Sequence, residues 1–251
     1  QFSSSRGRVI PVRHVLERYG PDPLRYFICA AGPENQDADF TWADFVQRNN
    51  SELVAGWGNL VNRTAAMVAK NVGEIPAPVA LEAIDEAVLA RVQEAFDEVG
   101  GLIERHRQKA ALAAAMRAVG EVNKYVTDTE PFRLKGEDQR DRLLTVLHTL
   151  VQCVSDLNTI LAPFLPHAAN RVHAVLGGQG QLVPMPRVDE VTDLDSARPY
   201  EVITGDYSAT PRWERRPVVP GTPIAKPAPV FVKLDDAVVE EELTRMAGTA
   251  G

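Results

Sequence analysis

The chain has 251 residues, of which 45% are hydrophobic and 24% are charged, so it is long enough for one large or two modest globular domains. Its formal net charge of -7 argues against a protein that binds nucleic acid over its whole surface, but it allows a local basic patch. No apolar run approaches the roughly 20 residues that cross a bilayer and no signal peptide is apparent, so we expect a cytoplasmic protein with no membrane partner.

The two cysteines are Cys29 and Cys153, and both lie among apolar residues at helical spacing. This setting is typical of buried free thiols in a reducing compartment rather than of a disulfide. No Cys or His spacing of the kind that binds zinc is present, so we expect no metal site.

Glycine and proline residues divide the first part of the chain. Residues 1–8 are small and polar and predict a loop, whereas residues 12–18 predict a short amphipathic helix. Asp22 is the expected N-cap of a second helix that runs to about residue 31, with Pro23 as its first residue.

A long helix is predicted from Thr41 to Gly73, because its apolar residues recur at three- and four-residue steps. Asp44 follows Thr41 by three residues and completes a variant of the capping box. The apolar positions that should face the core are Phe45, Leu53, Val54, Trp57, Leu60, Val61, Ala65 and Val68.

The same periodicity predicts four more helices, over residues 84–107, 109–126, 138–160 and 166–176. Long helices joined by short breaks predict a mainly α fold built as an antiparallel helix bundle.

The character of the chain changes from Gln179 to Pro229, where proline and glycine are frequent. We expect an extended, partly ordered tail there, in which the segment from Pro211 to Arg216 stands out only by its charge. Residues 230–232 could form a short strand, and Asp235 should cap a final helix that ends near residue 246.

One candidate site combines Asn59 and Arg63, which stand four residues apart on one side of the long helix, with Pro131 and Phe132 just after a helix end. A base could stack on the phenylalanine ring for roughly 1 to 3 kcal/mol while the amide and the guanidinium bond its edge. The plainer alternatives are a solvated Asn, an Arg paired with a carboxylate, and a Phe that covers the end of the bundle. Neighbouring cations outnumber neighbouring acids, which favours a phosphate-bearing partner: Arg105, Arg107, Lys109, Arg117 and Lys124 against Glu104 and Glu121.

A second candidate is the opening loop, in which the hydroxyls of Ser3, Ser4 and Ser5 precede Arg6 and Arg8 and could bond a phosphate. Serine-rich ends of this kind are more often simply disordered. No triad signature and no Gly-rich nucleotide loop is present, so we expect no self-contained active site.

Several motifs spread over nearly the whole chain point to one family. They are Gln1-Phe2-Ser3-Ser4-Ser5-Arg6-Gly7, Glu17-Arg18-Tyr19-Gly20-Pro21-Asp22-Pro23-Leu24-Arg25-Tyr26-Phe27, Asp39-Phe40-Thr41-Trp42, Gly58-Asn59-Leu60-Val61-Asn62-Arg63, Asn123-Lys124-Tyr125 with Pro131-Phe132, and Pro229 to Asp235. With them the chain resembles the C-terminal part of bacterial methionyl-tRNA synthetases, which are class I aminoacyl-tRNA synthetases.

The resemblance implies a domain order. Residues 1–7 would be the remnant of the catalytic domain's signature loop, 8–40 a stem-contact fold, 41–178 the anticodon-binding helix bundle, and 179–251 an extended tail with a C-terminal helix. In the family that loop closes over ATP through lysines, and Gln1 and Ser4 occupy the lysine positions here. Ser3, Ser4 and Ser5 would then be catalytic residues of a degenerate loop.

The resemblance also implies binding roles. Asn59 and Arg63 would bond the first anticodon base, a cytosine, and Phe132 after Pro131 would stack on unpaired bases where the family most often has Trp. The implied partners are tRNA(Met) with anticodon CAU and the N-terminal catalytic domain. ATP with Mg²⁺ would serve the full-length enzyme and zinc only its N-terminal part, so this chain alone should bind no cofactor and should not aminoacylate.

The function expected from the resemblance is anticodon recognition within a methionine-tRNA ligase, which activates methionine with ATP and transfers it to tRNA for protein synthesis. An alternative is a free-standing tRNA-binding or regulatory module without catalytic activity. A third possibility is a purely structural helix bundle.

Overall fold

A computed structural model describes residues 10, 12–32, 34, 40–192, 198–205 and 212–248. The predicted loop serines Ser3, Ser4 and Ser5 lie outside these residues. The described α-helices are α1 (Val12–Tyr19), α2 (Pro21–Ala31), α3 (Trp42–Arg48), α4 (Asn59–Asn71), α5 (Ala83–Glu104), α6 (Gln108–Thr129), α7 (Arg140–Leu161), α8 (Pro166–Val175) and α9 (Ala237–Gly248).

The long helix predicted from Thr41 is confirmed, with one change. It runs without a break through α3, a ten-residue π-helical segment (Asn49–Gly58) and α4. The Thr41 hydroxyl accepts a hydrogen bond from the Asp44 amide at 3.1 Å, which confirms the predicted N-cap. Every apolar position of the predicted stripe is buried except Val54, which is half-buried.

Asp22 does not cap its own helix, so this prediction was wrong. The helix begins two residues earlier than predicted, at Pro21, and the Asp22 carboxylate is buried. It accepts hydrogen bonds from the amides of His167 (3.4 Å) and Ala168 (2.5 Å), in the first turn of α8. Asp22 therefore satisfies orphan donors at the start of a helix that is remote in sequence.

The helices α4 to α8 form the predicted bundle, and α7 is its central member because α4, α5, α6 and α8 all pack against it. By length and composition, Glu137–Leu161 would suffice to cross a membrane, but 78% of the apolar window lies buried inside the protein. A helix surrounded on all sides needs an apolar surface on all sides.

The tail is more ordered than expected. Two strands, β1 (Arg187–Val191) and β2 (Tyr200–Thr204), pair antiparallel with Val188 opposite Ile203. The strand predicted at residues 230–232 is absent, although Val230 and Phe231 are buried in the core. The final helix is confirmed as α9, whose Ala237 amide donates to the Asp235 carboxylate at 2.9 Å.

A second apolar cluster, separate from the core of the bundle, joins α1, α2 and α3 to α9. Its buried members are Val15, Phe27, Trp42, Phe45 and Val46, and α9 adds Val238, Val239 and Met246. The long helix therefore contributes to both cores, first through α3 and then through the bundle. The C-terminal helix completes the smaller one.

Side-chain amides hold the tail where strand pairing does not, and we call these contacts amide clamps. Asn170 donates to Val183 O and accepts from Val183 N, both at 2.9 Å. Asn50 does the same with Leu234, at 2.8 and 2.9 Å. In the third clamp, Gln152 donates to the carbonyl of residue 216 and accepts from the amide of residue 218. Each clamp supplies the two hydrogen bonds that a neighbouring strand would have made.

Both cysteines are free thiols. Cys153 is buried as predicted, whereas Cys29 is only half-buried, and burial raises the pKa of each thiol. Among the described residues, no cluster of three or more His, Cys, Asp or Glu side chains could hold a metal ion.

Candidate functional site

The predicted pair Asn59 and Arg63 lies on α4, immediately after the π-helical segment. Asn59 is exposed and Arg63 is half-buried. Arg63 Nη2 donates a hydrogen bond to Asn123 Oδ1 of α6 at 3.1 Å, and its Nε is buried without a partner. Among the described residues Arg63 has no carboxylate partner, so its charge stays available.

Asn123 is the residue that fixes the position of Arg63. Its own amide donates to Gly56 O at 3.3 Å and to Val119 O at 3.1 Å, which leaves its side-chain oxygen for the guanidinium. The sequence arguments from charge and periodicity missed Asn123, because its partner on α4 is 60 residues away. The only signal was its place in the Asn123-Lys124-Tyr125 motif.

The aromatic part of the site follows α6. Glu130, the residue after the helix, has φ 40° and ψ 53°, a left-handed conformation that is unusual for a residue other than glycine. The chain then makes a short 3-10 turn (Pro131–Arg133) in which Pro131 is buried and Phe132 is 54% exposed. The turn therefore leaves much of the Phe132 ring open to solvent.

Arg63 and Phe132 lie toward the same end of α6. Asn123 precedes the last residue of the helix, Thr129, by six residues, which corresponds to about 9 Å along the axis. Arg63 therefore contacts the part of α6 that lies nearest to the turn carrying Phe132.

The basic flank inferred from sequence is not one patch, so this interpretation was wrong. Arg105 and Arg107 lie at the turn before α6 and Lys109 lies in its first turn, and the 22 residues of that helix span about 33 Å. Of the other two cations, Arg117 pairs with Glu98 at 2.5 Å and Lys124 with Asp128 at 3.5 Å. Local net charge near Phe132 is therefore smaller than the sequence count indicates.

A buried ionic cluster supports the end of the bundle at which α6 ends. Asp85, which is fully buried at the start of α5, accepts two hydrogen bonds from Arg142 at 2.5 and 3.0 Å and one from the Tyr125 hydroxyl at 2.5 Å. A fourth comes from the Glu82 amide at 2.8 Å. The cluster ties the start of α5, the end of α6 and the start of α7 together.

These contacts shift the ionisation of the cluster. Burial alone would raise the pKa of Asp85, but the hydrogen bonds from Arg142 and Tyr125 hold its pKa below the usual range. Burial, and then the Asp85 carboxylate, raises the pKa of Tyr125. Asp85 is therefore a carboxylate and Tyr125 a hydroxyl at neutral pH.

Comparison with known proteins assigns the family. Residues 1–65 match the family described as tRNA synthetases class I (M), and residues 85–203 match the anticodon-binding domain of tRNA ligases. A methionine–tRNA ligase from Nocardioides sp. is 62% identical over 246 residues, which cover 98% of this chain and 41% of that protein. The chain belongs to the methionyl-tRNA synthetase family. It spans about two fifths of the length of the curated relatives that it matches.

Other methionyl-tRNA synthetases agree in sequence and in fold. A methionine–tRNA ligase from Beutenbergia cavernae is 62% identical over 255 residues, with 100% of this chain and 41% of that protein covered. The crystal structure of Mycobacterium tuberculosis methionyl-tRNA synthetase bound by methionyl-adenylate matches with a TM-score of 0.74 and 25% identity, over 92% of this chain and 41% of that one. Asn59 and Arg63 fall in the first matched segment of the family, and Pro131 and Phe132 fall in the second.

Proposed function

We propose that this chain reads the anticodon of tRNA(Met), CAU, as the C-terminal part of a cytoplasmic methionine-tRNA ligase. The observation that carries the proposal is the state of Arg63, which is oriented by a neutral amide and keeps its charge beside the exposed Asn59. An arginine that served only stability would more often be paired with a carboxylate.

In this proposal the first anticodon base, a cytosine, leaves the stack of the loop and lies against the surface of α4. Its acceptor atoms receive hydrogen bonds from the guanidinium of Arg63, and Asn59 supplies a donor and an acceptor for the rest of its edge. The Phe132 ring stacks on an unpaired base, while buried Pro131 and the turn at Glu130 fix the direction of the ring.

The test is filter binding of tRNA with anticodon CAU against tRNA with an altered first anticodon base. Arg63→Ala and Asn59→Ala should each lower the discrimination between the two tRNAs by about 1 to 3 kcal/mol. Lys124→Ala should weaken binding to both tRNAs alike, and Arg91→Ala, which removes an exposed arginine from α5, should change neither.

Two outcomes would contradict the proposal. Equal affinity of the unaltered chain for both tRNAs would show that the chain does not recognise the first anticodon base. A loss of affinity that is uniform across anticodons in the Arg63 variant would make Arg63 a phosphate contact only.

We propose further that the complete enzyme activates methionine with ATP and Mg²⁺ and transfers it to the tRNA, with zinc confined to its N-terminal part. Ser3, Ser4 and Ser5 would then lie at the ATP phosphates in a loop whose lysine positions are Gln1 and Ser4, and Arg6 would supply part of the missing charge. Adenylate formation by an Arg6→Ala variant of the complete enzyme tests this role. An unchanged rate would show that Arg6 has none.

The domains that we propose are residues 8–40, 41–178 and 179–251, and the smaller apolar core joins all three. It combines Val15 and Phe27 of the first segment with Trp42, Phe45 and Val46 of the second, and it also requires α9 from the last. A truncation before Ala237 should therefore destabilise the segment 8–40 and leave the bundle helices in place, as circular dichroism would report.

A further inference from the structure

The charged segment from Arg212 to Arg216 is fixed across the outer side of the bundle, and we call residues 212–218 the strap. Trp213 Nε1 donates to Phe96 O of α5 at 2.9 Å. Arg215 Nε donates to the buried Asp156 carboxylate of α7 at 2.8 Å, and the Gln152 clamp holds the backbone that follows. The strap is thus anchored on two helices through Trp213, Arg215 and its backbone.

Two adjoining cavities of about 250 and 230 Å³ lie beside the strap. Thr159, Leu182 and Arg216 line both of them, so we treat the two neighbouring cavities as the halves of one groove. One half reaches Asn158 on α7, and the other reaches the Trp213 ring. We call this feature the strap groove, and its combined size falls within the range of small-ligand sites.

The half of the groove that Asn158 lines contains an unsatisfied buried amide oxygen. Asn158 is 2% exposed, and its Nδ2 donates to Ala169 O at 2.9 Å. Its Oδ1 is buried and accepts no hydrogen bond. A buried acceptor without a partner is costly, so this oxygen would gain from a donor on a bound molecule.

The outer half offers positive charge and an aromatic surface. Within the described part of the chain the Arg216 side chain has no ion pair, and Arg212 is paired only with Glu214, at 3.6 Å between two exposed groups. Trp213 is 39% exposed and meets Phe96 edge to face, with ring centroids 5.7 Å apart. Pro163 and Val183 add apolar walls.

We propose that the strap groove binds a nucleotide whose base carries an exocyclic amino group, such as adenylate or cytidylate. The base packs between Trp213 and the apolar walls, its amino group donates to Asn158 Oδ1, and the phosphate is held by Arg216 and Arg212. An aromatic surface, an isolated acceptor, the Arg216 guanidinium and the exposed, weakly paired Arg212 guanidinium together match this chemistry better than a purely apolar or purely anionic ligand.

The strap groove is a separate site from the anticodon-reading residues. None of its residues belongs to α4, α6 or the turn at Phe132. The proposal therefore does not depend on the proposed anticodon recognition, and either can fail without the other. The nucleotide could be free in solution or part of an RNA strand, and the two sources are separated by experiment.

Tryptophan fluorescence of the purified 251-residue chain provides the assay, with AMP as the probe. The chain has three tryptophans, and Trp42 and Trp57 are only 3% and 1% exposed, so quenching by AMP should come from Trp213 and disappear in Trp213→Phe. IMP carries a carbonyl where AMP has the amino group, and it should bind at least about fivefold more weakly because two acceptors then face each other.

Arg216→Gln tests the phosphate contact while retaining the backbone carbonyl that Gln152 binds. We expect AMP to bind this variant at least about fivefold more weakly, and we expect no change in Arg91→Gln, which lies on the exposed face of α5. A tetra-adenylate strand that binds at least about tenfold more tightly than AMP would identify RNA as the source, whereas equal affinity would identify free nucleotide.

The proposal is overturned by any of three results. These are no quenching by AMP up to about 10 mM, equal affinities for AMP and IMP, or unchanged AMP affinity in Arg216→Gln. In each case the Asn158 oxygen would be satisfied by an ordered water and the groove would be a structural feature only.

Discussion

Replacement of Asp85 by asparagine tests whether the ionic cluster holds the end of the bundle. The carboxylate is fully buried and accepts four hydrogen bonds, two of them from Arg142. In Asp85→Asn the shape is kept, but the charge is lost and an amide N–H faces the donors of Arg142 or Tyr125.

The structure sets the magnitude of this change. Removal of one partner from a buried ion pair costs about 3 to 5 kcal/mol. The Arg142 side chain is 20% exposed, so water still solvates part of its charge when Asp85 is replaced. We therefore reduce the expected loss of unfolding free energy to about 3 kcal/mol. Because the pKa of Asp85 is lowered, its contribution is present above the unfolded pKa of about 3.9 and is lost as the pH falls through the folded value.

Urea unfolding followed by circular dichroism at pH 7 measures the effect, and a double-mutant cycle with Arg142→Met isolates the pair. We expect a coupling energy of about 2 kcal/mol or more between Asp85 and Arg142. Glu94→Gln, which breaks the exposed pair with Arg91, should cost less than about 0.5 kcal/mol. A loss below about 1 kcal/mol in Asp85→Asn, or additive single effects, would refute the reasoning.

Three further predictions concern other parts of the molecule. Burial outweighs the pairing with Arg215 and raises the pKa of Asp156 to about 6, so the folded state binds a proton more readily than the unfolded state. The free energy of unfolding should therefore rise by about 1 kcal/mol when the pH is lowered from about 7.5 to 5, and Asp156→Asn should abolish that rise in urea titrations. Gln152→Glu removes the donor to the carbonyl of Arg216 and adds a charge beside Asp156. It should therefore lower the unfolding free energy by about 2 kcal/mol or more in the same assay, and Gln152→Met should lower it by less. Phe132→Trp should increase tRNA affinity in filter binding, and Phe132→Ala should weaken it by about 1 to 3 kcal/mol; equal affinities would exclude a stacking role.

The helices of the bundle were predictable because apolar spacing is a local property of the chain. The stripe from Phe45 to Val68 follows the core side of one continuous helix, and the caps at Thr41 and Asp235 depend on residues two or three positions away. In each of these cases the evidence lies within a single turn or a single helix.

Features that depend on distant partners were not predictable. The sequence around Asp22 matches a helix N-cap, yet its carboxylate reaches amides about 145 residues later, in α8. The tail segment 230–232 has the composition of a strand, but its neighbours offer side-chain amides rather than a free strand edge. Local propensity says nothing about which groups a fold brings near.

The candidate site shows the same division. The common side of Asn59 and Arg63 follows from a spacing of four residues, but the neutral partner of Arg63 lies on another helix. The supposed basic flank was a count along the chain, and α6 separates its members by most of its length. Charged residues that are close in sequence form a surface patch only where the fold places them at the same end of a helix.

The amide clamps that hold the tail should respond to salt differently from contacts with RNA. Asn50, Gln152 and Asn170 are uncharged, so added salt has little to screen at these three contacts, whereas the Arg215–Asp156 contact of the strap is an ion pair. Contacts with RNA phosphates, by contrast, weaken steeply as counterions compete for them. A salt wash strong enough to remove bound RNA would therefore leave these three amide clamps in place.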